Sequence, residues 1–140
     1  MITPEILDAL SLHRDSSASE RTIDITTYGA RTGQPRRIEI WFHHVDGKWY
    51  LASTPDPRSW YANLRANPRF IFHLKNGVHA DLQATAVPIT DPAPRRRILT
   101  AIVSNLNHLR GPDAALSAEV REEWVKGSPL VEIVFDEIGD

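Results

Sequence analysis

The sequence contains no cysteine among its 140 residues. A chain without cysteine forms no disulfide, thiolate zinc site or iron–sulfur cluster, and it cannot use a cysteine nucleophile. The absence of cysteine is compatible with a reducing compartment. We therefore expect a cytoplasmic protein.

Long apolar runs are also missing. No segment approaches the ~20 apolar residues that a membrane-spanning helix needs, and the acidic start of the chain lacks the layout of a signal peptide. The net charge is only −2, which gives no overall attraction to nucleic acid or to an anionic membrane. We expect no membrane span and no nucleic-acid partner.

Positive charge is concentrated in the middle of the chain. Residues 29–80 carry eight basic and three acidic side chains, whereas residues 1–28 carry two and five, and residues 81–140 carry six and ten. An anionic ligand would be drawn to the middle segment.

Alternating and β-branched segments predict about six strands. Asp46-Gly47 and Asn76-Gly77 have the composition of hairpin turns, so the sheet cannot be wholly parallel. We expect one domain, residues 1–140, that is mainly β with peripheral helices and forms a small antiparallel barrel, with a helix and a loop in residues 1–20. The predicted strands are 22–28, 37–44, 49–53, 70–74, 78–89 and 129–135, and the predicted helices begin near residues 4, 58, 91 and 118.

Two arginine-bearing segments, Gly29–Arg37 and Pro57–Arg69, each lie beside a predicted strand. Arginine offers donors in a fixed fork, and glycine lets backbone N–H groups approach an anion closely. Tryptophan and tyrosine side chains between and after these segments suit a planar ring. Cations beside flat apolar groups therefore indicate a ligand with an anionic tail and an aromatic head, although an exposed hairpin with solvated arginines is the alternative.

The motifs Gly29-Ala-Arg-Thr-Gly-Gln-Pro-Arg-Arg37, Asp46-Gly47 and Ser59-Trp-Tyr-Ala-Asn-Leu-Arg-Ala-Asn-Pro-Arg69 resemble the flavin/deazaflavin oxidoreductases. More narrowly, they resemble the deazaflavin (F420)-dependent nitroreductase and quinone reductase family. The resemblance implies a split β-barrel of the FMN-binding or pyridoxamine-phosphate-oxidase type. It also implies F420 or FMN as cofactor, a homodimer, and hydride transfer to a small-molecule electron acceptor such as a quinone, enone or nitroaromatic.

The resemblance implies cofactor contacts in both arginine segments and on the neighbouring strands. The second cation of the glycine turn is Arg36 or Arg37, and we expect Arg31 and Arg58 to converge on one anion-sized hollow. Glu39 departs from the family pattern, because a carboxylate facing the pocket would repel the oligoglutamate tail of F420. The expected cofactor-binding residues are Arg31, Thr32, Gly33, Arg36, Arg37, Trp41, Ser53, Arg58, Ser59, Trp60 and Asn63.

A substrate that accepts hydride also needs a proton, and Tyr61 is the preferred donor, with Tyr28 and bulk water as alternatives. We expect no metal site, because His43 and His44 are adjacent on a strand and face opposite sides. Arg95–Arg97 is interpreted as a solvated helix face. Two other functions stay open: an FMN-binding or cofactor-carrier protein without robust turnover, and a small barrel that binds single-stranded nucleic acid.

Overall fold

The N-terminal segment folds into two short helices. The structure, a computed structural model, describes residues 2–138. Helix α1, Pro4–Leu10, begins after Thr3, whose side chain caps it. Helix α2, Ala18–Arg21, begins with a capping box between Ser17 and Glu20. The loop expected within residues 1–20 therefore ends before residue 18, because Ser17 and Glu20 satisfy each other's backbone N–H groups.

Six antiparallel strands close into a barrel in the order β1-β2-β3-β6-β5-β4, which confirms the predicted fold class. Glycine turns join β2 to β3 at Asp46-Gly47 and β4 to β5 around Gly77. The longest strand, β2, pairs with β1 along all of β1 and with β3 at its far end. The bounds are β1 Thr22–Tyr28, β2 Pro35–Val45, β3 Lys48–Ala52, β4 Arg69–Leu74, β5 Ala80–Pro88 and β6 Leu130–Phe135.

Three longer helices cover the barrel. Helix α3, Ser59–Ala66, connects β3 to β4. Helix α4, Pro92–Arg110, and helix α5, Ala118–Gly127, lie between β5 and β6, with a 3-10 turn at Pro112–Ala114. Proline at the first turn of α4 fits its start, since the ring presets φ and the missing N–H has no partner there.

The barrel interior is filled by side chains at alternate strand positions, as the period of two requires. Phe72 makes edge-to-face contacts with Phe42 and Phe135, with ring centroids 5.1 and 5.0 Å apart. Ile23 and Ile25 of β1 are fully buried in the same core. Aromatic pairs of this kind add about 0.5–1.5 kcal/mol beyond the area that they bury.

A second core lies outside the barrel, between the strands and α4 and α5. Tyr50 and Ala52 of β3 pack there against Leu99 and Ile102 of α4 and Trp124 of α5. This helical layer forms a wall along the outer face of β2 and β3. A cavity lies between this helical layer and β2.

Arg95 corrects the expectation of a solvated arginine face on α4. Its guanidinium donates to the carbonyl oxygens of Ile89, Val125 and Ser128 at 2.9–3.2 Å. Arg96 and Arg97 do lie exposed and pair with Glu122 and Asp46. Arg95 therefore ties α4 to the end of α5, because carbonyls left free there need donors.

Within residues 2–138, no helix has the length and apolar character needed to cross a membrane.

Candidate functional site

The glycine turn between β1 and β2 has a backbone that needs both of its glycines. Gly33 donates its N–H to the Gly29 carbonyl at 2.9 Å and has φ +70°, a conformation that other residues rarely adopt. A Cβ at Gly29 would lie 2.9 Å from Thr32 Oγ1, closer than packed atoms allow. The turn is thereby compact, and the Gly33 N–H is used inside it rather than offered to a ligand.

Helix α3 fastens this turn through two asparagines. Asn63 Oδ1 accepts the Ala30 N–H at 3.0 Å, and Asn63 Nδ2 donates to Thr27 Oγ1 at 3.2 Å. Asn67 Nδ2 donates to the carbonyl oxygens of Tyr28 and Gly29 at 3.3 Å. Both polar ends of the Asn63 side chain are engaged, so Asn63 positions the turn.

The turn and the start of α3 enclose a cavity of about 510 Å³, called here the turn pocket. Within residues 2–138 its lining includes no acidic side chain, and the guanidinium groups of Arg31 and Arg36 have no ion-pair partner. The backbone N–H groups of Arg31 and Thr32 also have no acceptor in that part of the chain. The turn pocket is lined by Thr27, Gly29, Ala30, Arg31, Thr32, Arg36, Ile38, Ser59, Trp60 and Asn63.

A second cavity, of about 470 Å³, adjoins the turn pocket at Ile38 and Trp60 and is called here the tryptophan pocket. It lies between the outer face of β2, the end of β3, the start of α3 and the helical layer. Three tryptophans and two arginines line it, so it offers flat apolar surfaces beside positive charge. Its lining is Ile38, Glu39, Ile40, Trp41, His43, Ala52, Ser53, Thr54, Arg58, Trp60, Leu106, Arg110 and Trp124.

Two buried polar atoms of this pocket lack partners. Ser53 Oγ and Arg58 Nε have no hydrogen-bond partner within the described residues. Buried polar groups are nearly always hydrogen-bonded, because an unpaired one costs about 1–3 kcal/mol. One hydroxyl and one guanidinium N–H, on residues that line a cavity with three tryptophans, suit a planar heterocycle with carbonyl and ring-nitrogen acceptors. The residues present therefore fit a flavin or deazaflavin.

Arg31 and Arg58 do not share one hollow, which corrects the sequence expectation. Arg58 precedes the first turn of α3 and lines the tryptophan pocket, whereas Ser59 and Trp60 reach the turn pocket. The Arg58 Nη2 group donates to Thr54 Oγ1 and lies 3.8 Å from Asp56 Oδ2. The two arginines occupy neighbouring pockets that meet at Trp60.

Alternation along β2 separates Arg36 from Arg37. Arg36 lines the turn pocket, but Arg37 lies on the opposite face, where its Nε donates to Asp24 Oδ2 at 3.0 Å. Lys75 binds Asp24 at 2.7 Å and also Glu39. These bonds, Lys75 first and Arg37 next, hold the pKa of Asp24 below its usual value even though partial burial opposes them. Glu39 does line the tryptophan pocket, but Lys75 balances its charge.

His43 is a pocket residue that sequence reasoning considered only as a metal ligand. It lies on the outer face of β2 with 4% of its surface exposed. Burial, and secondly the nearby positive charge of Arg21, lowers the pKa of His43 to about 3. The imidazole is therefore neutral near pH 7 and can donate or accept one hydrogen bond. The position of His43 beside Trp41 on one strand face was visible in the sequence, but its burial was not.

A third cavity, of about 600 Å³, meets the tryptophan pocket at Arg58 and is called here the loop pocket. It lies between the loop before α3 and the loop after α5. Tyr61, the expected proton donor, lines the loop pocket and neither of the other two. The lining is Pro55, Asp56, Pro57, Arg58, Tyr61, Thr90, Arg95, Lys126, Gly127, Ser128 and Pro129.

The expected site residues thus divide into three groups. Arg31, Thr32, Arg36, Ser59, Trp60 and Asn63 line the turn pocket, and Trp41, Ser53, Arg58 and again Trp60 line the tryptophan pocket. Gly33 shapes the turn without lining either pocket, and Arg37 pairs with Asp24 and lines neither pocket. Sequence reasoning missed Leu106, Arg110 and Trp124, because residues from helices late in the chain reach the pocket only through tertiary packing.

Residues 17–110 match the family described as F420H(2)-dependent quinone reductase, more than half of the chain. The chain belongs to this family. It is therefore a reductase, and the expectation of F420 or FMN as cofactor is confirmed, with F420 the cofactor that the family name carries. No match to the chain was found among curated proteins.

Solved structures confirm the fold. A conserved hypothetical protein from Mycobacterium tuberculosis is 24% identical, with a TM-score of 0.69 over 97% of this chain and 81% of that one. An F420-H2 dependent reductase is 19% identical, with a TM-score of 0.56 over 81% and 93%. A putative pyridoxamine 5'-phosphate oxidase from Listeria innocua is 15% identical, with a TM-score of 0.61 over 94% and 91%. This member of the family is a split β-barrel.

Proposed function

We propose that this reductase uses F420 to reduce a quinone, with the cofactor lying along the groove formed by the turn pocket and the tryptophan pocket. The observation that carries the proposal is that the two cavities adjoin, with Ile38 and Trp60 in both linings. Unpaired cations and backbone N–H groups occupy one end, unpartnered Ser53 and Arg58 donors occupy the other, and Ile38 and Trp60 join them.

The turn pocket supplies the charge for a phosphate. Arg31 and Arg36 offer charge-assisted hydrogen bonds, and the Arg31 and Thr32 N–H groups add fixed donors. Asn63 and Asn67 hold these donors in place before any ligand binds. A preformed donor set loses less entropy on binding, which favours affinity.

The tryptophan pocket suits the ring. Trp41, Trp60 and Trp124 exclude water from their side of the cavity, and Ser53 Oγ and Arg58 Nε would hold the polar edge of a tricyclic ring. Reduced F420 supplies a hydride when it is bound. The surrounding residues orient the ring, exclude water from it and provide the proton.

A quinone that accepts a hydride needs one proton to become a hydroquinone. We propose Tyr61 as the donor of that proton, because it lines the loop pocket next to Arg58. Bulk water then restores the phenol.

Titration of F420 into the protein, followed by cofactor fluorescence, tests the cofactor site. Arg36→Ala is expected to weaken F420 binding by roughly tenfold or more, because a charge-assisted hydrogen bond contributes about 1.5–3 kcal/mol. Arg37→Ala is the matched control, since it removes an equally charged neighbour on the opposite strand face. Equal losses in the two variants would contradict the groove.

Steady-state reduction of menadione by reduced F420 tests the activity of the wild-type protein. Absorbance of the deazaflavin gives the rate, and FMN with a chemical reductant is the parallel assay. Turnover with FMN and none with F420 would refute the cofactor assignment. Tight F420 binding without turnover of menadione, enones or nitroaromatics would favour a carrier.

A further inference from the structure

We propose that the loop pocket is the acceptor subsite and that it selects planar acceptors bearing an anionic substituent, such as a carboxylate or sulfonate. This inference rests on the proposed function, because it places the acceptor beside the cofactor groove. The two cavities share Arg58, so a molecule in the loop pocket would lie against the end of the tryptophan pocket.

Ser128 shows that the loop pocket is a built polar site. Only 2% of Ser128 is exposed, yet its Oγ has no hydrogen-bond partner within the described residues. Its backbone is fixed, since its N–H donates to the Trp124 carbonyl and its own carbonyl accepts from Arg95, both at 2.9 Å. A buried hydroxyl without a partner costs free energy, so Ser128 Oγ is a candidate donor to a ligand in the cavity that Ser128 lines.

The charge of the loop pocket favours an anion. Three cationic side chains line it, those of Arg58, Arg95 and Lys126, against the single carboxylate of Asp56 among the lining residues. Lys126 has no ion-pair partner in the described part of the chain. Lys126 is exposed, so its charge attracts a ligand from solution while Ser128 contacts one that has entered.

The shape of the loop pocket favours a flat molecule. Prolines and Tyr61 supply rigid apolar surfaces on both sides of the cavity. The two loops meet closely, since a Cβ at Gly127 would lie 3.2 Å from the Pro55 side chain. Lys126 and Ser128 lie beyond the matched residues 17–110, so acceptor selection by them would be a feature of this chain.

The test compares 1,4-naphthoquinone with its 2-sulfonate, which share one ring system and differ in charge. Binding of each to the cofactor-free protein is measured by quenching of tryptophan fluorescence, and KM for each is measured with reduced F420. Lys126→Ala is expected to weaken sulfonate binding and raise its KM about two- to fivefold, the range of an exposed ion pair. The neutral quinone should be unaffected, and the effect on the sulfonate should be smaller at high salt. Ser128→Ala should act in the same direction and needs no new space, since alanine is smaller.

Lys48→Ala is the matched control, because Lys48 is an exposed lysine that does not line the loop pocket. Equal effects on both quinones, or no effect on either, would overturn the inference. Weakened F420 binding in Lys126→Ala would overturn it too, since the pocket would then hold the acidic cofactor tail. Failure of F420 to bind the wild-type protein refutes the proposed function instead, and the cofactor-free measurements separate these cases.

Discussion

Protonation of His43 should make the folded state sensitive to mild acid. His43 is buried on the outer face of β2, and its pKa in the fold is about 3. The unfolded chain gives a histidine a pKa of about 6.5. Between these values the unfolded state binds more protons than the folded state, so the free energy of unfolding falls as the pH falls below about 6.5.

The size of the effect follows from the two pKa values. Lowering the pH from 7 to 5 favours the unfolded state through this one imidazole by about 2 kcal/mol. His43→Gln keeps a polar side chain at this buried position, but the glutamine cannot take up a proton. The variant should therefore lose about 2 kcal/mol less than the wild-type protein over the same pH interval.

Urea unfolding followed by tryptophan fluorescence at pH 5, 6 and 7 gives the required free energies. The comparison within each protein cancels effects of the substitution that do not depend on pH, and carboxylates common to both proteins cancel as well. His79→Gln is the matched control, because it removes an imidazole that is exposed and leaves the buried His43 in place. Parallel loss of stability in the wild-type protein and His43→Gln would show that His43 is not held neutral by burial.

Two further predictions concern α3. Tyr61→Phe should lower kcat for menadione at least tenfold with unchanged affinity for F420, because general acid catalysis contributes about 10²-fold or more; an unchanged kcat in stopped-flow assays would assign the proton to water. Asn63→Ala should destabilise the fold by about 1–3 kcal/mol in urea, since it leaves the Ala30 N–H and Thr27 hydroxyl without their partner. It should also weaken F420 binding, and full affinity in a destabilised Asn63→Ala protein would show that the turn needs no fastening.

Strands and turns of this chain are readable from its sequence. Alternation over Thr22–Tyr28 and the Asp46-Gly47 and Asn76-Gly77 turns fix local geometry within a few residues, and hairpins lead to an antiparallel barrel. The glycine turn with Arg31 and Arg36 was recognisable for the same reason. Its backbone conformation is determined locally.

The remainder of the site depends on packing between distant segments. Arg58 and Arg31 have the same chemistry, but only the position of α3 decides that they face adjoining pockets. In the sequence, Arg95 resembles a surface cation. Its partners are backbone carbonyl oxygens, which every residue has, so the amino-acid types do not indicate them. Trp124 lies in α5 and Ser128 directly follows that helix, so only the packing of the helical layer places them beside a cavity.

Helix α3 contributes to all three cavities. It presents Ser59 to one end of the groove, Trp60 to the junction and Tyr61 to the cavity beyond, while Asn63 secures the neighbouring turn. Successive residues of a helix turn by about 100° around its axis, so these three neighbours point toward different cavities. Inserting or deleting a residue here would disturb every subsite at once, so divergence among relatives should spare the length of this helix even where its side chains change.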